Sequence, residues 1–340
     1  MKLSTPVKCF FWGLLLFILC CGQRIDSNEL EQGSSIASSA TISDLERPSQ
    51  DNEKATVAVI YRTKDLGRSW EAYAEGLPSE ATVSGFIQVA DDLLAITDFH
   101  GVYRNAAGQE KWQPTGRGLP QEIDLNCILQ QNGRLIVGTL HQGIFVSDDK
   151  GHSWTKVPGL LNEIPIRAFY LVNDRILAGT DRGIYHSMDA GNSWQPTFSQ
   201  LQILGFSGSG AKVYAATQDG ALMSQDGGQN WQRIYEGDAL HDIYYDGLNV
   251  YAMTLGRGLL RSNDDGQSWE NVQNQMGTPN LYTFEMQRVN GQLFAAQWYG
   301  VFRSSNRGNY WELISSLPDS TAFASFFLSE QVLYAGAAMR

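Results

Sequence analysis

From Thr56 to its end the chain is a succession of short apolar runs separated by Gly- and Asp-rich turns. Runs of about four to six residues bounded in this way read as β-strands. They fall into four recurring columns. Strand A is Ser84-Gly85-Phe86-Ile87, Asn126-Cys127-Ile128-Leu129, Arg167-Ala168-Phe169-Tyr170 and Leu204-Gly205-Phe206-Ser207. It continues as His241-Asp242-Ile243-Tyr244, Tyr282-Thr283-Phe284-Glu285 and Ala324-Ser325-Phe326-Phe327. The second position is mostly small and the third large and apolar, as crowding near a common axis requires. Strand B ends in small residues, as in Val137-Gly138-Thr139 and Leu177-Ala178-Gly179-Thr180. Strand C restarts after a glycine, as in Gly143-Ile144-Phe145, and a polar turn then leads to strand D, opened by a Trp.

That polar turn is the sharpest repeat. Ser147 to Trp154 reads S-D-D-K-G-H-S-W, Ser187 to Trp194 reads S-M-D-A-G-N-S-W, and Ser262 to Trp269 reads S-N-D-D-G-Q-S-W. Looser copies end at Trp70, Trp112, Trp231 and Trp311, so seven tryptophans recur every 37 to 42 residues. A period of that size with four strands per unit means a propeller or a similar array. Asp65, Asp149, Asp189, Asp226 and Asp264 take the third position, where a carboxylate accepts hydrogen bonds from turn N–H groups. Glycine at the fifth supplies a positive φ, and the Trp returns a large side chain to the packed layer. The stretches Asn105–Trp112 and Ser304–Trp311 lack the Asp but keep the Trp. These aspartates read as structural, not catalytic.

The chain ends fix how the array closes. Thr56 to Tyr61 reads as a strand C leading to the first turn, and Phe323 to Phe327 with Val332 to Gly336 reads as strands A and B with no turn after them. The expected fold is all-β: one seven-bladed propeller of four-stranded antiparallel blades. N-terminal strands C and D pair with C-terminal strands A and B, which removes the open sheet edges.

The first residues add a different signal. A basic start, with Lys2 and Lys8, precedes the apolar stretch Cys9 to Cys21. It is too short to span a bilayer comfortably and fits a secretory signal. Ile18-Leu19-Cys20-Cys21 resembles a bacterial lipobox, with Cys21 as the lipidation candidate and Cys20 in place of the usual small Gly, Ala or Ser. Residues 22–54 are polar and Ser-rich, a composition that buries no core and reads as a tether. The expected organisation is a signal over 1–21, a tether over 22–54 and the propeller over 55–340. Export follows as the expected location, as a periplasmic, outer-membrane or cell-surface lipoprotein or a secreted protein. Membrane attachment would be through the lipid alone.

Of four cysteines only Cys127 falls in the folded part, so no internal disulfide is available, and no Cys/His metal spacing occurs. Neither metal nor cofactor is expected. The formal net charge is −11, and −13 without Lys2 and Lys8. An acidic body of this kind excludes nucleic acid as the partner.

In a propeller the B–C and D–A loops share the face around the central mouth, where a ligand is expected. Phe99, His100, His141, Arg182, Arg257, Trp298 and Tyr299 fall on the B–C loops, and Arg167, His241 and Tyr282 open strand A. Aromatic and Arg side chains are the usual anchors of interfaces. The reading is a binding face for a protein or glycan of the cell envelope.

The repeated turn resembles the Asp-box, or BNR, repeat of a β-propeller superfamily, and the resemblance covers Thr56 to the C-terminus. The chain looks like exported single-propeller members such as photosystem II assembly and stability factor-like proteins, and its repeat is similar to that of sortilin-type domains. In the assembly-factor relatives the propeller is a binding scaffold, which implies the same mode here. Sialidases and xyloglucan-type glycoside hydrolases carry the same box, so it implies no activity by itself. No Arg-Ile-Pro stretch of the sialidase kind occurs. Arg167, Arg182 and Arg257 could imitate the sialidase Arg triad, and Tyr282 with Glu285 its nucleophile pair. Asp98, Asp181, Asp219 and Asp242 are carboxylates at the mouth that a glycosidase would need. The expectation is a non-catalytic binding or assembly scaffold, with a glycoside hydrolase and a structural envelope component as alternatives.

Overall fold

The computed structural model describes residues 58–159, 161–273, 276, 283–298, 300–314, 317, 322–329 and 331–338. The expected signal, its Cys21 and the tether lie outside the described residues, as do Tyr282 and Tyr299. Among the described residues all regular structure is β. The chain opens with β1 (Ile60–Thr63) and β2 (Glu71–Ala72), which belong to the last blade. Blade 1 is β3 (Val83–Val89), β4 (Asp92–Thr97), β5 (Gly101–Asn105) and β6 (Trp112–Thr115). Blade 2 is β7 (Leu125–Gln131), β8 (Arg134–Thr139), β9 (Ile144–Ser147) and β10 (Thr155–Lys156). Blade 3 is β11 (Ile166–Val172), β12 (Arg175–Thr180), β13 (Gly183–Ser187) and β14 (Gln195–Ser199). Blade 4 is β15 (Ile203–Ser209), β16 (Lys212–Thr217), β17 (Gly220–Ser224) and β18 (Gln232–Glu236). Blade 5 is β19 (Leu240–Tyr245), β20 (Val250–Thr254), β21 (Leu259–Ser262) and β22 (Glu270–Asn271). Blade 6 is β23 (Glu285–Val289), β24 (Gln292–Gln297), β25 (Gly300–Ser304) and β26 (Glu312–Leu313). Finally β27 (Ala322–Ser329) and β28 (Val332–Ala338) join β1 and β2 in the order β2-β1-β28-β27.

Among the described residues every strand-to-strand pairing is antiparallel, and Ile60 opposite Gly336 and Thr63 opposite Leu333 set the register of the shared blade. The protein is a seven-bladed propeller closed by its two ends. Apolar clusters lie between neighbouring blades, as where Ile136 and Val146 of blade 2 meet Ile176 and Tyr185 of blade 3. Burial there is what fixes the blades to one another.

The repeated turn is a closed hydrogen-bond circuit. Asp149 Oδ1 accepts from Ser147 Oγ and from the Ser153 N–H, each at 2.8 Å, and Oδ2 accepts from Ser153 Oγ at 2.5 Å. Ser147 Oγ in turn accepts from the Gly151 N–H at 2.8 Å. Gly151 has φ +85°, and the residue before it, Lys150, is also left-handed at +61°. The turn thus uses two consecutive left-handed residues where the sequence pattern implies one. The copy at Thr63–Trp70, read as looser, has the whole circuit through Asp65, Thr63 and Ser69. Trp154, Trp194, Trp231 and Trp269 donate their indole N–H to the carbonyl of their own turn's glycine. In the two copies without Asp the indole crosses to the preceding blade: Trp112 donates to Tyr73 O at 2.7 Å and Trp311 to Val272 O at 2.9 Å.

Blade 6 corrects the expected strand A alignment. Glu285 pairs with Ala296 as Asp242 pairs with Met253 and Ser325 with Gly336, so β23 starts two residues later than the pattern suggested. The small column near the axis is therefore Gly85, Cys127, Ala168, Gly205, Asp242, Glu285 and Ser325. Phe284, expected in the large column, occupies the bulge position. Its N–H still bonds Ala296 O at 2.9 Å, and its ring packs edge-on against Trp298 at 5.0 Å and His241 at 5.6 Å.

Neighbouring blades are also tied through arginines. Arg303 Nη1 donates to Leu66 O at 2.8 Å, Arg261 Nη1 to Arg307 O at 2.5 Å, and Arg104 Nη2 to Lys150 O. Leu66, Lys150 and Arg307 are all the left-handed residue of the next blade's turn. That conformation turns a carbonyl toward the neighbour, and the guanidinium, with its fork of donors, meets it.

Candidate functional site

The B–C turns that rim the mouth are closed by a repeated device. The last residue of strand B is Thr97, Thr139, Thr180, Thr217 or Thr254, and each hydroxyl donates to the carbonyl of the following turn glycine at 2.7 to 2.9 Å. These staples hold the loops rigid beside the axis. In blade 6 Gln297 replaces the threonine and bonds Thr283 Oγ1 at 3.1 Å.

On this frame the expected basic residues meet carboxylates of the same face. Arg167 makes a two-pronged pair with Asp181 at 2.7 and 3.0 Å, and Gln202 adds a bond to Asp181 at 2.7 Å. Arg257 Nε lies 2.8 Å from Asp238 Oδ2. His141 Nδ1 is bonded to Asp124, which also accepts the Leu140 N–H at 3.2 Å. His100 Nδ1 is bonded to the Asp98 carbonyl at 2.8 Å, and its Nε2 lies 3.6 Å from Glu80. His241 is held differently: burial pushes its imidazole down to about 4, so it is neutral near pH 7. Arg167, Arg257, His100 and His141 are thus dispersed into separate local pairs rather than gathered into one cluster.

The acids are dispersed as well. Asp219 donates its N–H to Thr217 Oγ1 at 3.3 Å and its carboxylate faces Arg233 at 3.2 Å. Asp98 is bridged through its backbone to Asp124. Burial, and then the Asp124 charge, raises the Asp98 carboxyl to about 6.

Two positions stand apart. Phe99 is 47% exposed, with φ +60°, and its N–H is tied to Ile123 O at 3.1 Å. A bulky aromatic in the left-handed region is strained. Arg182 is exposed, with its backbone N–H on Thr180 Oγ1 at 3.1 Å. Trp298, expected as an exposed anchor, is partly buried and packs on the core at Phe284. Leu255, not singled out from the sequence, is 40% exposed on the blade 5 loop. A hydrophobic residue at the B–C turn was its one sequence signal.

The fold and its mouth define a class of protein, the seven-bladed β-propeller. Compared with protein-family models and with curated proteins, the chain has no match. Among solved structures it is similar to YCF48 bound to D1 peptide, at 16% identity and TM-score 0.62, over 78% of this chain and 94% of that one. It is similar to the extracellular domain of a B. thetaiotaomicron one component system, at 15% identity and TM-score 0.64, over 77% of this chain. The GH74 xyloglucanase from Xanthomonas campestris gives 17% identity and TM-score 0.61, over 80% of this chain. The chain spans 38% and 53% of those two proteins. At these identities the likeness is one of fold.

Proposed function

We propose that this chain is an exported Asp-box propeller that acts as a non-catalytic scaffold and takes a protein partner through its mouth face. The observation that carries the reading is Phe99, an exposed aromatic kept in a strained conformation on a stapled loop. Strain of this kind persists where the surrounding structure enforces it, and it clusters at working sites. A rigid exposed ring offers contact area at little entropy cost, which suits an interface anchor. Arg182 beside the same mouth adds a guanidinium for carboxylate or carbonyl groups of the partner. YCF48, with the same fold, is seen with a peptide bound, and this supports a peptide or protein as the class of ligand. Residues 1–21 serve as the export signal, Cys21 as the lipid attachment point and 22–54 as the tether of a propeller over 55–340.

The test is capture from envelope extract by the full chain, beside Phe99→Asn and Arg182→Ala variants. Asn fits the left-handed backbone, so the first variant removes the ring without unsettling the loop. Capture of a defined protein by the wild type, reduced at least several-fold in either variant, is the expected result. Equal capture by all three would remove these residues from the site.

A further inference from the structure

The inner column holds two acids where small residues are the rule. Asp242 on β19 leans into the slot beside Gly205 of blade 4: a Cβ on Gly205 would stand 1.9 Å from Asp242 Oδ1. Glu285, one blade further round, leans the other way, and its Oε2 accepts the Phe326 N–H of the shared blade at 2.8 Å. The strands that receive them, β15 (ILGFSGS) and β27 (AFASFFLS), contain no ionisable residue. Among the described residues no cation stands ready on the other elements packed there. Lys212 of β16 is bound to Asp265 at 2.7 Å, as is Tyr214 at 2.5 Å. Arg288 of β23 donates to Asp246 O at 2.9 Å, and Arg303 of β25 is held by Glu312 and Leu66 O. Among the described residues the other titratable groups of these strands are His241, Tyr244 and Tyr245 on β19, Tyr251 on β20 and Tyr334 on β28. Burial keeps the His241 imidazole neutral near pH 7 and raises the Tyr244 and Tyr251 hydroxyls above their ordinary value.

We propose that Asp242 and Glu285 form a proton-operated latch of the inner ring, closed while both carboxyls are protonated and loosened from blade 4 to the shared blade when they ionise. Burial is the main cause in each case, raising Asp242 to about 7 and Glu285 to about 8. The Asp242 charge raises Glu285 further, while the Phe326 N–H opposes the rise. Both folded-state values lie above the unfolded ones, so the stabilisation is complete in acid and is lost as pH rises through about 7 and about 8. Loss of the two protons leaves like charges on neighbouring strands with only neutral strands beyond them. The loosening is local because blades 1 to 3 carry Gly85, Cys127 and Ala168 in the same column.

Hydrogen exchange of the full chain between pH 6 and pH 9, corrected for intrinsic rates, tests this. Protection of peptides from β19, β23 and β27 should fall by roughly tenfold or more as pH rises, while β3, β7 and β11 hold theirs. In the Asp242→Asn/Glu285→Gln double variant the fall should vanish. A uniform loss over all blades, or the same fall in the variant, overturns the proposal. Should the variant not fold, carboxyl NMR of the wild type decides. Among the Asp and Glu carboxyls, one Asp and one Glu still titrating near pH 7 to 8 support the latch, and complete titration below about pH 6 refutes it.

Discussion

Arg303 Nη1 lies 2.8 Å from the carbonyl oxygen of Leu66, joining residues 237 positions apart in the chain. The bond crosses the seam between blade 6 and the blade shared by the two termini. On the other side of the shared blade Ser325 Oγ donates to Val83 O at 2.8 Å. These two contacts join the Glu285–Phe326 and Trp112–Tyr73 bonds in tying the closing sheet to both neighbours, beside the β1–β28 ladder within it.

Replacing Arg303 with Ala should therefore weaken ring closure. It strands the Leu66 carbonyl and also frees Glu312, whose half-exposed pairing counts for little. The expected loss is about 1 kcal/mol, read as a lower denaturation midpoint at unchanged slope. Lys64→Ala on the same turn, with an exposed side chain, should stay within about 0.5 kcal/mol. Equal effects from both would mean that the crossing bond contributes nothing.

The turn aspartates make a pH prediction with the opposite sign to the inner latch. Hydrogen bonds from Ser69 hold Asp65 down to about 2, and Ser268 does the same for Asp264. A folded-state value below the unfolded one gives stability that is present above about pH 4 and is lost as pH falls through about 2. Acid unfolding should start in that window. Blade 6 is the internal control, because Asn306 replaces the Asp and still accepts from Ser304 Oγ at 3.0 Å and from the Tyr310 N–H at 2.9 Å. Asp149→Asn should accordingly keep most of the turn at neutral pH and flatten its share of the acid transition. Asp149→Ala should cost roughly 1 kcal/mol at pH 7, the usual loss for a side-chain cap. Calorimetry of the three proteins from pH 2 to pH 7 would check both.

The blade count and the turn were legible because they are local. Trp, Gly and Asp at fixed offsets need no knowledge of the rest of the chain, and the period of Trp gives the number of units. The ties between blades were less so, since Arg303 meets Leu66 only once the ring has closed. A trace was nevertheless present: Arg62, Arg104, Arg261 and Arg303 all occupy the position just before the turn's first residue. The inner column of blade 6 misled for a physical reason. Glu285 breaks the rule that small residues face the axis, so Phe284 took the place of Met286 in the large column. At the mouth the residue types were readable, but their partners were not. Whether Arg167 is free or bound to Asp181 depends on a strand–loop contact that composition does not encode.

Trp298 and Phe99 should separate packing from recognition. Trp298 lies against Phe284 in the core of the last two blades, so Trp298→Ala should cost about 2–3 kcal/mol and lower the melting temperature. Phe99→Asn should leave stability unchanged or raise it by up to about 1 kcal/mol, because Asn accepts the left-handed backbone more readily. A partner lost by Phe99→Asn at full stability speaks for an interface ring. If Phe99→Asn melted as early as Trp298→Ala, the ring would be a structural element instead.

The slot between Gly205 and Asp242 gives a double-mutant test of inner-ring packing. With a Cβ only 1.9 Å from Asp242 Oδ1, Gly205→Ala forces the carboxyl out of its place. Overpacking of this kind should cost about 1–3 kcal/mol. Asp242→Ala removes the obstructing group, so adding Gly205→Ala to it should cost far less than alone, with a coupling of about 0.5–3 kcal/mol. Asp242→Asn keeps the shape and should give no such relief. The contrast between Ala and Asn at position 242 distinguishes a steric slot from a charge effect, since both remove the charge and only one empties the space. Additive costs in the Ala pair would mean that Asp242 does not occupy the slot, and the inner latch would then lose its geometric basis.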